Sequence, residues 1–162
     1  MHTVILGIGT NMGSREANLK AAVTRIEEHI GNIKYSSSVF ETEPWGFASE
    51  DNFLNMAVEV ETELTPSGVL GALLMIEAQL GRIRSEKQYS SRVIDIDILF
   101  YDDLIMDEIA LKIPHPHLQN RKFVLVPLNE IAPDLIHPVL KQSVSSLLNS
   151  CEDLSEVLRI II

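Results

Sequence analysis

The sequence is poor in three features that would assign it to other classes of protein. Only one cysteine, Cys151, occurs in 162 residues, so no disulfide can form within the chain, and we expect a reducing, cytoplasmic environment. No apolar run approaches the ~20 residues of a membrane span, and the first residues do not read as a signal peptide. The formal net charge of −10 argues against a general nucleic-acid binder. The sequence therefore predicts a cytoplasmic protein with neither a membrane nor a nucleic acid as its partner.

Basic residues are absent from one stretch of the chain and concentrated in another. No Lys or Arg occurs between Lys34 and Arg82, whereas seven of the 13 basic residues fall between Arg82 and Lys122. Grouped cations of this kind suit an anionic, phosphate-bearing ligand. The second half of the chain is therefore predicted to bind phosphate groups.

The order of apolar patterns predicts a single α+β domain spanning residues 1–162. Strand patterns at 3–9, 33–41, 53–62 and 92–101 alternate with helices that begin near Ser14 and at Thr65-Pro66, which is the β-α-β-β-α-β order of a ferredoxin-like fold. We expect a mostly antiparallel sheet with helices packed around it in α/β/α layers. Further elements are predicted at 109–113, 123–131, 143–148 and 157–162. The glycine-containing stretch 9–13 is interpreted as a strand-to-helix turn, and the polar stretch 81–91 as a mobile lid.

The segment 92–101 carries the clearest chemical signal. Read as a strand, it places three isoleucines on one face and both Asp95 and Asp97 on the other, with their Cα atoms roughly 6.5–7 Å apart. Two carboxylates at this spacing can converge on one or two divalent ions, and they suit Mg²⁺. The alternative is a half-buried strand with a polar outer face. From this segment alone, the two readings are equally supported.

Two other segments supply groups that suit a flat heterocycle and a phosphate. In 53–62, the alternation places Phe53 and Asn55 on the same half-exposed face, where a ring can stack and an amide can pair with a heterocycle edge. Further on, His115 lies between two prolines, and Arg121 and Phe123 follow. They could add a phosphate contact and a second aromatic plane, although each signal is weak alone.

Taken together, seven segments resemble the 6-hydroxymethyl-7,8-dihydropterin pyrophosphokinase family of folate biosynthesis. The segments are Gly9-Thr-Asn11, Thr42-Glu-Pro44, Phe53-Leu-Asn55, Gly81-Arg-Ile-Arg84, Arg92-Val-Ile-Asp-Ile-Asp97, Ile113-Pro-His-Pro116 and Asn120-Arg-Lys-Phe123. The resemblance runs from the first strand to about Pro138. It departs from the family at Gln88-Tyr-Ser-Ser91, where Arg-Trp-Gly-Pro is frequent, and at His117, where Arg is frequent.

The resemblance implies a reaction and a set of site residues. ATP would transfer its pyrophosphoryl group to the hydroxymethyl oxygen of 6-hydroxymethyl-7,8-dihydropterin and leave as AMP, with Asp95 and Asp97 holding two Mg²⁺ ions. Arg82 and Arg92 would steady the transferred phosphates, and we expect a monomer. The implied ATP contacts are Glu77, Arg84, Tyr89, Ile98, Lys112, His115 and Arg121. The implied pterin contacts are Thr42, Pro44, Trp45, Phe53, Asn55, Asp95 and Phe123.

Two alternatives to this function have different experimental signatures. Another Mg²⁺-dependent phosphotransferase would release ADP instead of AMP. A ferredoxin-like regulatory module would bind a small ligand without turnover, since this fold serves many functions. The regulatory module leaves the carboxylate pair and the surrounding arginines unexplained.

Overall fold

A computed structural model of the chain describes residues 1–43, 52–81 and 93–162. Within these ranges the protein combines a large sheet, a two-stranded ribbon and four α-helices, with a short 3₁₀ turn at Leu118–Asn120. In chain order the elements are β1 (His2–Thr10), α1 (Arg15–His29), β2 (Gly31–Ser36), β3 (Val39–Thr42), β4 (Phe53–Thr62), α2 (Pro66–Gln79), β5 (Asp95–Tyr101), β6 (Met106–Asp107), β7 (Lys112–Ile113), α3 (Lys122–Ile131), α4 (Val144–Ser150) and β8 (Val157–Ile160).

The large sheet is antiparallel, with the strand order β5-β1-β4-β3-β8. Strand β2 also pairs with β4, so β2 and β3 lie one after the other along the same edge of β4. Apart from β8, the order corresponds to the ferredoxin-like arrangement, in which the first and third strands lie in the centre. The predicted α+β, ferredoxin-like fold is confirmed.

The segment predicted as one interrupted strand at 33–41 is in fact two strands. Ser37 fills the gap between them, because its backbone N–H donates to the carbonyl of Ala57 at 2.9 Å and its hydroxyl oxygen accepts from the Ala57 N–H at 2.9 Å. Other strand boundaries also differ from prediction. Strand β1 continues through Gly9 to Thr10, and the strand expected at 109–113 is limited to Lys112–Ile113.

Apolar side chains on the two faces of the sheet form two separate cores. On β1, Val4, Leu6 and Ile8 point into the core shared with α1 and α2. The intervening Ile5 belongs to the other core, which α3 and α4 complete. The layers are therefore helix, sheet, helix, which agrees with the predicted fold class. Among the described helices, none is long and apolar enough to cross a membrane.

The second helical layer changes the environment of β4. Its face bearing Phe53, Asn55 and Ala57 was expected to be half-exposed, because the residues alternate between polar and apolar. Asn55 is only 6% exposed and Ala57 only 1% exposed, since α3 packs across β4. The expectation is therefore wrong for these two residues, and Asn55 is a buried amide that requires hydrogen-bond partners.

Candidate active site

The candidate site is built on β5 and its two neighbouring strands. Asp95 and Asp97 are partly exposed on one face, while Ile96 and Ile98 are each only 5% exposed on the other, as the alternation predicts. On the neighbouring strand β1, Gly9 is opposite Asp95 and Gly7 is opposite Asp97. The same glycines are opposite Asn55 and Ala57 of β4. Because glycine has no side chain, the floor between the carboxylates and Asn55 stays open.

A cavity of about 690 Å³ opens over this floor, which is within the size range of small-molecule sites. It brings together residues that are far apart in the sequence and that were predicted to bind ATP, metal or pterin. The predicted residues in its lining are Thr42, Phe53, Asn55, Glu77, Asp95, Asp97, His115, Arg121 and Phe123.

Helix α2 fixes the backbone of β5 between the two carboxylates. Glu77 is 3% exposed, and its Oε2 accepts a hydrogen bond of 2.9 Å from the backbone N–H of Ile96. Ile96 lies between Asp95 and Asp97, so this contact holds the strand at the position where both aspartates project. The family resemblance implied that Glu77 lines the nucleotide site, and the structure gives it a contact to β5 as well as a place in the cavity wall.

The pocket end expected to take the pterin is organised around Asn55. Its Nδ2 donates to the hydroxyl oxygen of Thr42 at 2.8 Å, and both residues are buried. This bond leaves the amide oxygen, the acceptor, facing the β1 side, where a Cβ on Gly9 would approach it to 3.0 Å. Phe53 and Phe123 both line the cavity, with Phe53 at the start of β4 and Phe123 in the first turn of α3.

His115 enters the cavity as a neutral imidazole. Burial, reinforced by the nearby Arg121 guanidinium, lowers the pKa of His115 from 6.5 to about 4. Its Nδ1 lies 3.2 Å from the backbone N–H of His117 and accepts from it, so the ring proton belongs on Nε2. That nitrogen is 4.0 Å from Oδ2 of Asp97. His115 can therefore donate one N–H into the cavity without a positive charge, whereas Arg121 contributes a charged guanidinium.

Arg121 joins the cationic and aromatic parts of the cavity. Its guanidinium carbon lies 5.8 Å from the centre of the Phe123 ring, within the range of a cation–π contact. The residue is 9% exposed, so its side chain is held in the cavity wall instead of in bulk water. Burial of this kind strengthens the interaction of a guanidinium with a phosphate oxygen.

A second cavity of about 260 Å³ adjoins the first. Two further predicted ATP contacts, Ile98 and Lys112, line it, and it shares Asp97 and His115 with the first cavity. The Lys112 ammonium pairs with Asp107 in the β6–β7 ribbon. The two cavities therefore meet at Asp97 and His115.

Several predicted site residues cannot be placed. Two predicted pterin contacts, Pro44 and Trp45, lie outside the described residues. So does the expected lid after Gly81, including Gln88–Ser91, where the sequence departs from the family. Four further predicted site residues also lie outside the described residues: Arg82, Arg84, Tyr89 and Arg92.

The two glycines of the cavity floor, Gly7 and Gly9, were not predicted as site residues. Gly7 was predicted only as part of the strand at 3–9, and Gly9 as the end of that strand and the start of a turn. Their signal was available, because glycines at alternate positions inside an apolar strand mark a close approach of a ligand or another backbone. A Cβ on Gly7 would also meet the side chain of Leu99 at 3.4 Å.

The donor set at Asp95 and Asp97 fits Mg²⁺ brought in by a phosphate ligand. Within the part of the chain that the structure describes, no group of three or more His, Cys, Asp or Glu is placed to hold a metal. Protein Mg²⁺ sites frequently use one or two carboxylates, with substrate phosphates and water completing the octahedron. Two partly exposed carboxylates opening into a cavity meet that requirement.

Comparison with known proteins shows the family to which the chain is similar. Residues 5–133 match the family described as 7,8-dihydro-6-hydroxymethylpterin-pyrophosphokinase. A Methylorubrum extorquens protein named 2-amino-4-hydroxy-6-hydroxymethyldihydropteridine pyrophosphokinase is 45% identical over 137 residues, covering 84% of this chain and 86% of the relative. An Aquifex aeolicus protein of the same name is 39% identical over 142 residues, with 88% of each chain covered.

Solved structures share the fold at lower identity. A crystal structure of HPPK-DHPS in complex with substrates superposes with a TM-score of 0.75 and 18% identity, covering 92% of this chain and 43% of the other. Plasmodium falciparum HPPK-DHPS gives a TM-score of 0.72 at 20% identity, with 92% and 43% covered. This chain thus spans less than half the length of those structures, and the likeness concerns the fold.

Proposed function

The chain belongs to the 7,8-dihydro-6-hydroxymethylpterin-pyrophosphokinase family, and we propose that the cavity beside β5 is where its reaction takes place. The enzyme transfers the pyrophosphoryl group of ATP to the hydroxymethyl oxygen of 6-hydroxymethyl-7,8-dihydropterin. The hydroxymethyl oxygen bonds to the β-phosphorus, the bond from that phosphorus to the α–β bridging oxygen breaks, and AMP leaves. The hydroxyl proton is lost to solvent or to a basic group, and the second product is the pterin diphosphate.

The pterin is proposed to lie between Phe53 and Phe123. Both rings line the same cavity, and stacking on two aromatic planes orients a flat heterocycle at little cost in conformational entropy. The edge of the heterocycle pairs with the amide of Asn55, which Thr42 holds in one orientation. Family resemblance adds Pro44 and Trp45 to this pocket.

The phosphates are proposed to lie over the carboxylate pair. Asp95 and Asp97 would hold the two Mg²⁺ ions that the resemblance implies, and bound ions would supply neutralisation of phosphate charge and polarisation of the transferred group. Arg121 supplies a buried positive charge to the phosphates, and neutral His115 donates its Nε2–H. Arg82, Arg84 and Arg92 complete the set by family resemblance.

The nucleotide is proposed to enter through the smaller cavity, along Ile98 and Lys112. The observation that carries the whole assignment is that the two cavities share Asp97 and His115. A nucleotide in one and a pterin in the other would therefore meet at the carboxylates. Transfer of a phosphoryl-type group depends mainly on positioning and charge neutralisation, and both are available at this junction.

The product assay tests this function against its alternatives. ATP, Mg²⁺ and 6-hydroxymethyl-7,8-dihydropterin are incubated with the protein, and AMP and ADP are separated by chromatography. We expect AMP and pterin diphosphate in equal amounts. ADP would identify a γ-phosphoryl kinase, and no turnover with retained pterin binding would identify a regulatory module.

We also propose that the chain acts as a single-domain monomer in the cytoplasm. The chain has a single cysteine, Cys151, and low cysteine content is typical of proteins from reducing compartments. Sedimentation at the protein concentration of the assay tests the monomer. A dimer mass under those conditions would contradict it.

A further inference from the structure

Three side chains at the connection between β1 and α1 contact the ends of the strands that carry the site. They are Thr10, Arg15 and Asn18, called here the β1–α1 junction. None of these three described residues lines either cavity. Their position is nevertheless central. Gly9, the residue before Thr10, is opposite Asn55 on one side and Asp95 on the other.

Two members of the junction hold the backbone just ahead of the carboxylates. The hydroxyl of Thr10, which is 0% exposed, donates to the carbonyl of Val93. Nδ2 of Asn18 donates to the carbonyl of Met12 at 2.9 Å, and it also lies 3.3 Å from the Val93 carbonyl and 3.3 Å from the Thr10 hydroxyl oxygen. Val93 precedes Asp95 by two residues, so these contacts fix the point at which β5 enters the sheet.

The third member, Arg15, holds the pterin side. Its Nη1 donates to Oε2 of Glu41 at 3.1 Å and to the carbonyl of Asn52 at 2.9 Å. Glu41 immediately precedes Thr42, and Asn52 immediately precedes Phe53. Arg15 thus clamps the end of β3 to the start of β4, at the position where two predicted pterin contacts project.

We propose that the β1–α1 junction consists of positioning residues that set the two halves of the site separately. Thr10 and Asn18 position Asp95 and Asp97 through Val93, and Arg15 positions Thr42 and Phe53 through Glu41 and Asn52. The helix itself is held by the buried side chains of Leu19, Ala22 and Ile26, so the junction contacts are additional to its packing. This inference rests on the proposed function of the cavity.

Matched substitutions separate the two arms. Thr10→Val keeps the shape of the side chain and removes the donor, and Thr10→Ser retains the hydroxyl. Asn18→Leu removes the amide donor at similar volume. Arg15→Gln removes the guanidinium, and Lys20→Gln, at an exposed position on the same helix, is its control for loss of charge.

Each variant is assayed for kcat, for the Mg²⁺ concentration giving half-maximal rate, and for the pterin Kd by calorimetry without ATP. Loss of a hydrogen bond at a positioning residue is expected to cost about 10- to 100-fold. Thr10→Val and Asn18→Leu should show that loss in kcat or in the Mg²⁺ requirement, with the pterin Kd unchanged. Arg15→Gln should raise the pterin Kd and leave the Mg²⁺ requirement unchanged.

Thr10→Ser should recover most of the activity, and Lys20→Gln should match the wild type. The proposal is overturned if Thr10→Ser is as impaired as Thr10→Val. It is also overturned if Thr10→Val, Asn18→Leu and Arg15→Gln each change the Mg²⁺ requirement and the pterin Kd to the same extent. If Thr10→Val lowers the folded fraction, as measured by circular dichroism, the test rests on Asn18→Leu, because Asn18 is only partly buried.

Asp95→Asn, measured in parallel, separates this inference from the function on which it rests. Full AMP formation by Asp95→Asn would refute the assigned site itself. Loss of activity in Asp95→Asn together with normal kinetics in Thr10→Val and Asn18→Leu would refute the junction alone.

Discussion

Asp95 and Asp97 illustrate how single residues acquire a role from their neighbours. The pair is local, because residues two apart on a strand share a face. Its surroundings are not local, since Gly7 and Gly9 leave the floor open and Glu77 secures the strand from α2. The same two aspartates on a strand with larger neighbours would form an ordinary polar face.

Replacing either aspartate by Asn should nearly abolish turnover. The change keeps the shape of the side chain and removes the negative charge that a hard divalent cation requires, so kcat should fall by roughly 100-fold or more. Thermal unfolding should change little, because both side chains are partly exposed. AMP formation at saturating Mg²⁺ is the measurement, and a variant with wild-type kcat would contradict the metal-binding role.

Gly9→Ala should weaken pterin binding. The new Cβ would approach Oδ1 of Asn55 to 3.0 Å, so the amide must shift and its bond to Thr42 must distort. Gly71→Ala is the matched control, because nothing lies within 4 Å of a Cβ there and alanine favours the helix by about 0.5–1 kcal/mol. Calorimetry should show a raised pterin Kd for Gly9→Ala only. Equal pterin affinity in both variants would show that the floor does not matter.

At the scale of elements, α3 decides the character of the proposed pterin pocket. It covers β4 and buries Asn55. Phe123 lies in the first turn of the helix, and Arg121 is the residue immediately before the helix begins. The sequence predicted this helix and the alternation of β4 correctly. It did not predict that the two would pack together, and the expected half-exposed face of β4 was therefore wrong.

Phe123→Ala should affect the pterin more than the nucleotide. Removing one of the two aromatic planes eliminates stacking, which contributes about 0.5–1.5 kcal/mol beyond burial for an aromatic pair, together with the buried area itself. We expect the pterin Kd to rise at least tenfold, while the Kd of an ATP analogue changes by less than about threefold. Equal weakening of both ligands would remove the stacking assignment.

The turn that follows α3 gives a pH dependence of stability. Burial lowers the pKa of His137, and its Nδ1 accepts from the backbone N–H groups of Val139 and Leu140. Below pH 6.5, His137 therefore binds a proton more readily in the unfolded chain than in the folded chain. The free energy of unfolding consequently falls as the pH falls. His115, with its lowered pKa, contributes in the same direction.

His137→Asn should reduce this dependence. Asparagine offers an acceptor oxygen in place of Nδ1 and does not titrate, so the decrease in unfolding free energy between pH 7 and pH 5 should become smaller than in the wild type. Urea unfolding at the two pH values measures it. An unchanged decrease would mean that protonation of His137 is not linked to folding.

At the scale of the whole molecule, the two cores and the site share the central sheet. Strand β1 contributes Val4, Leu6 and Ile8 to one core and Ile5 to the other, and its glycines form the floor of the cavity. The lining of the cavity comes from β1, β3, β4, α2, β5 and α3, so a ligand bound there would contact several elements at once. Substrate binding should therefore be linked to global unfolding.

An ATP analogue that cannot be cleaved, added with Mg²⁺ and pterin, should raise the unfolding temperature. At about 100 times Kd, a ligand specific for the folded state stabilises it by about 2.7 kcal/mol, which corresponds to roughly 5–10 °C for a chain of this size. Differential scanning fluorimetry measures the shift. Asp97→Asn should show a smaller shift with the Mg²⁺ nucleotide and an unchanged shift with pterin alone; the same nucleotide shift as in the wild type would contradict metal-dependent binding.

The sequence by itself determined the elements that depend on near neighbours. Alternation placed Asp95 and Asp97 on one face, Thr65 accepts from the Gly68 N–H at the start of α2, and the order of the motifs identified the family. These properties arise from residues a few positions apart, so periodicity and capping are sufficient to reveal them.

Only the tertiary structure decided what surrounds those residues. The burial of Asn55, the neutral state of His115 and the contact between Thr10 and Val93, which are 83 positions apart, all depend on elements that meet after folding. Burial and hydrogen-bond pairing are set by such distant neighbours, and no local pattern records which ones will be present. The glycine floor lies between these cases, because its spacing is visible in the sequence and its function depends on the strands beside it.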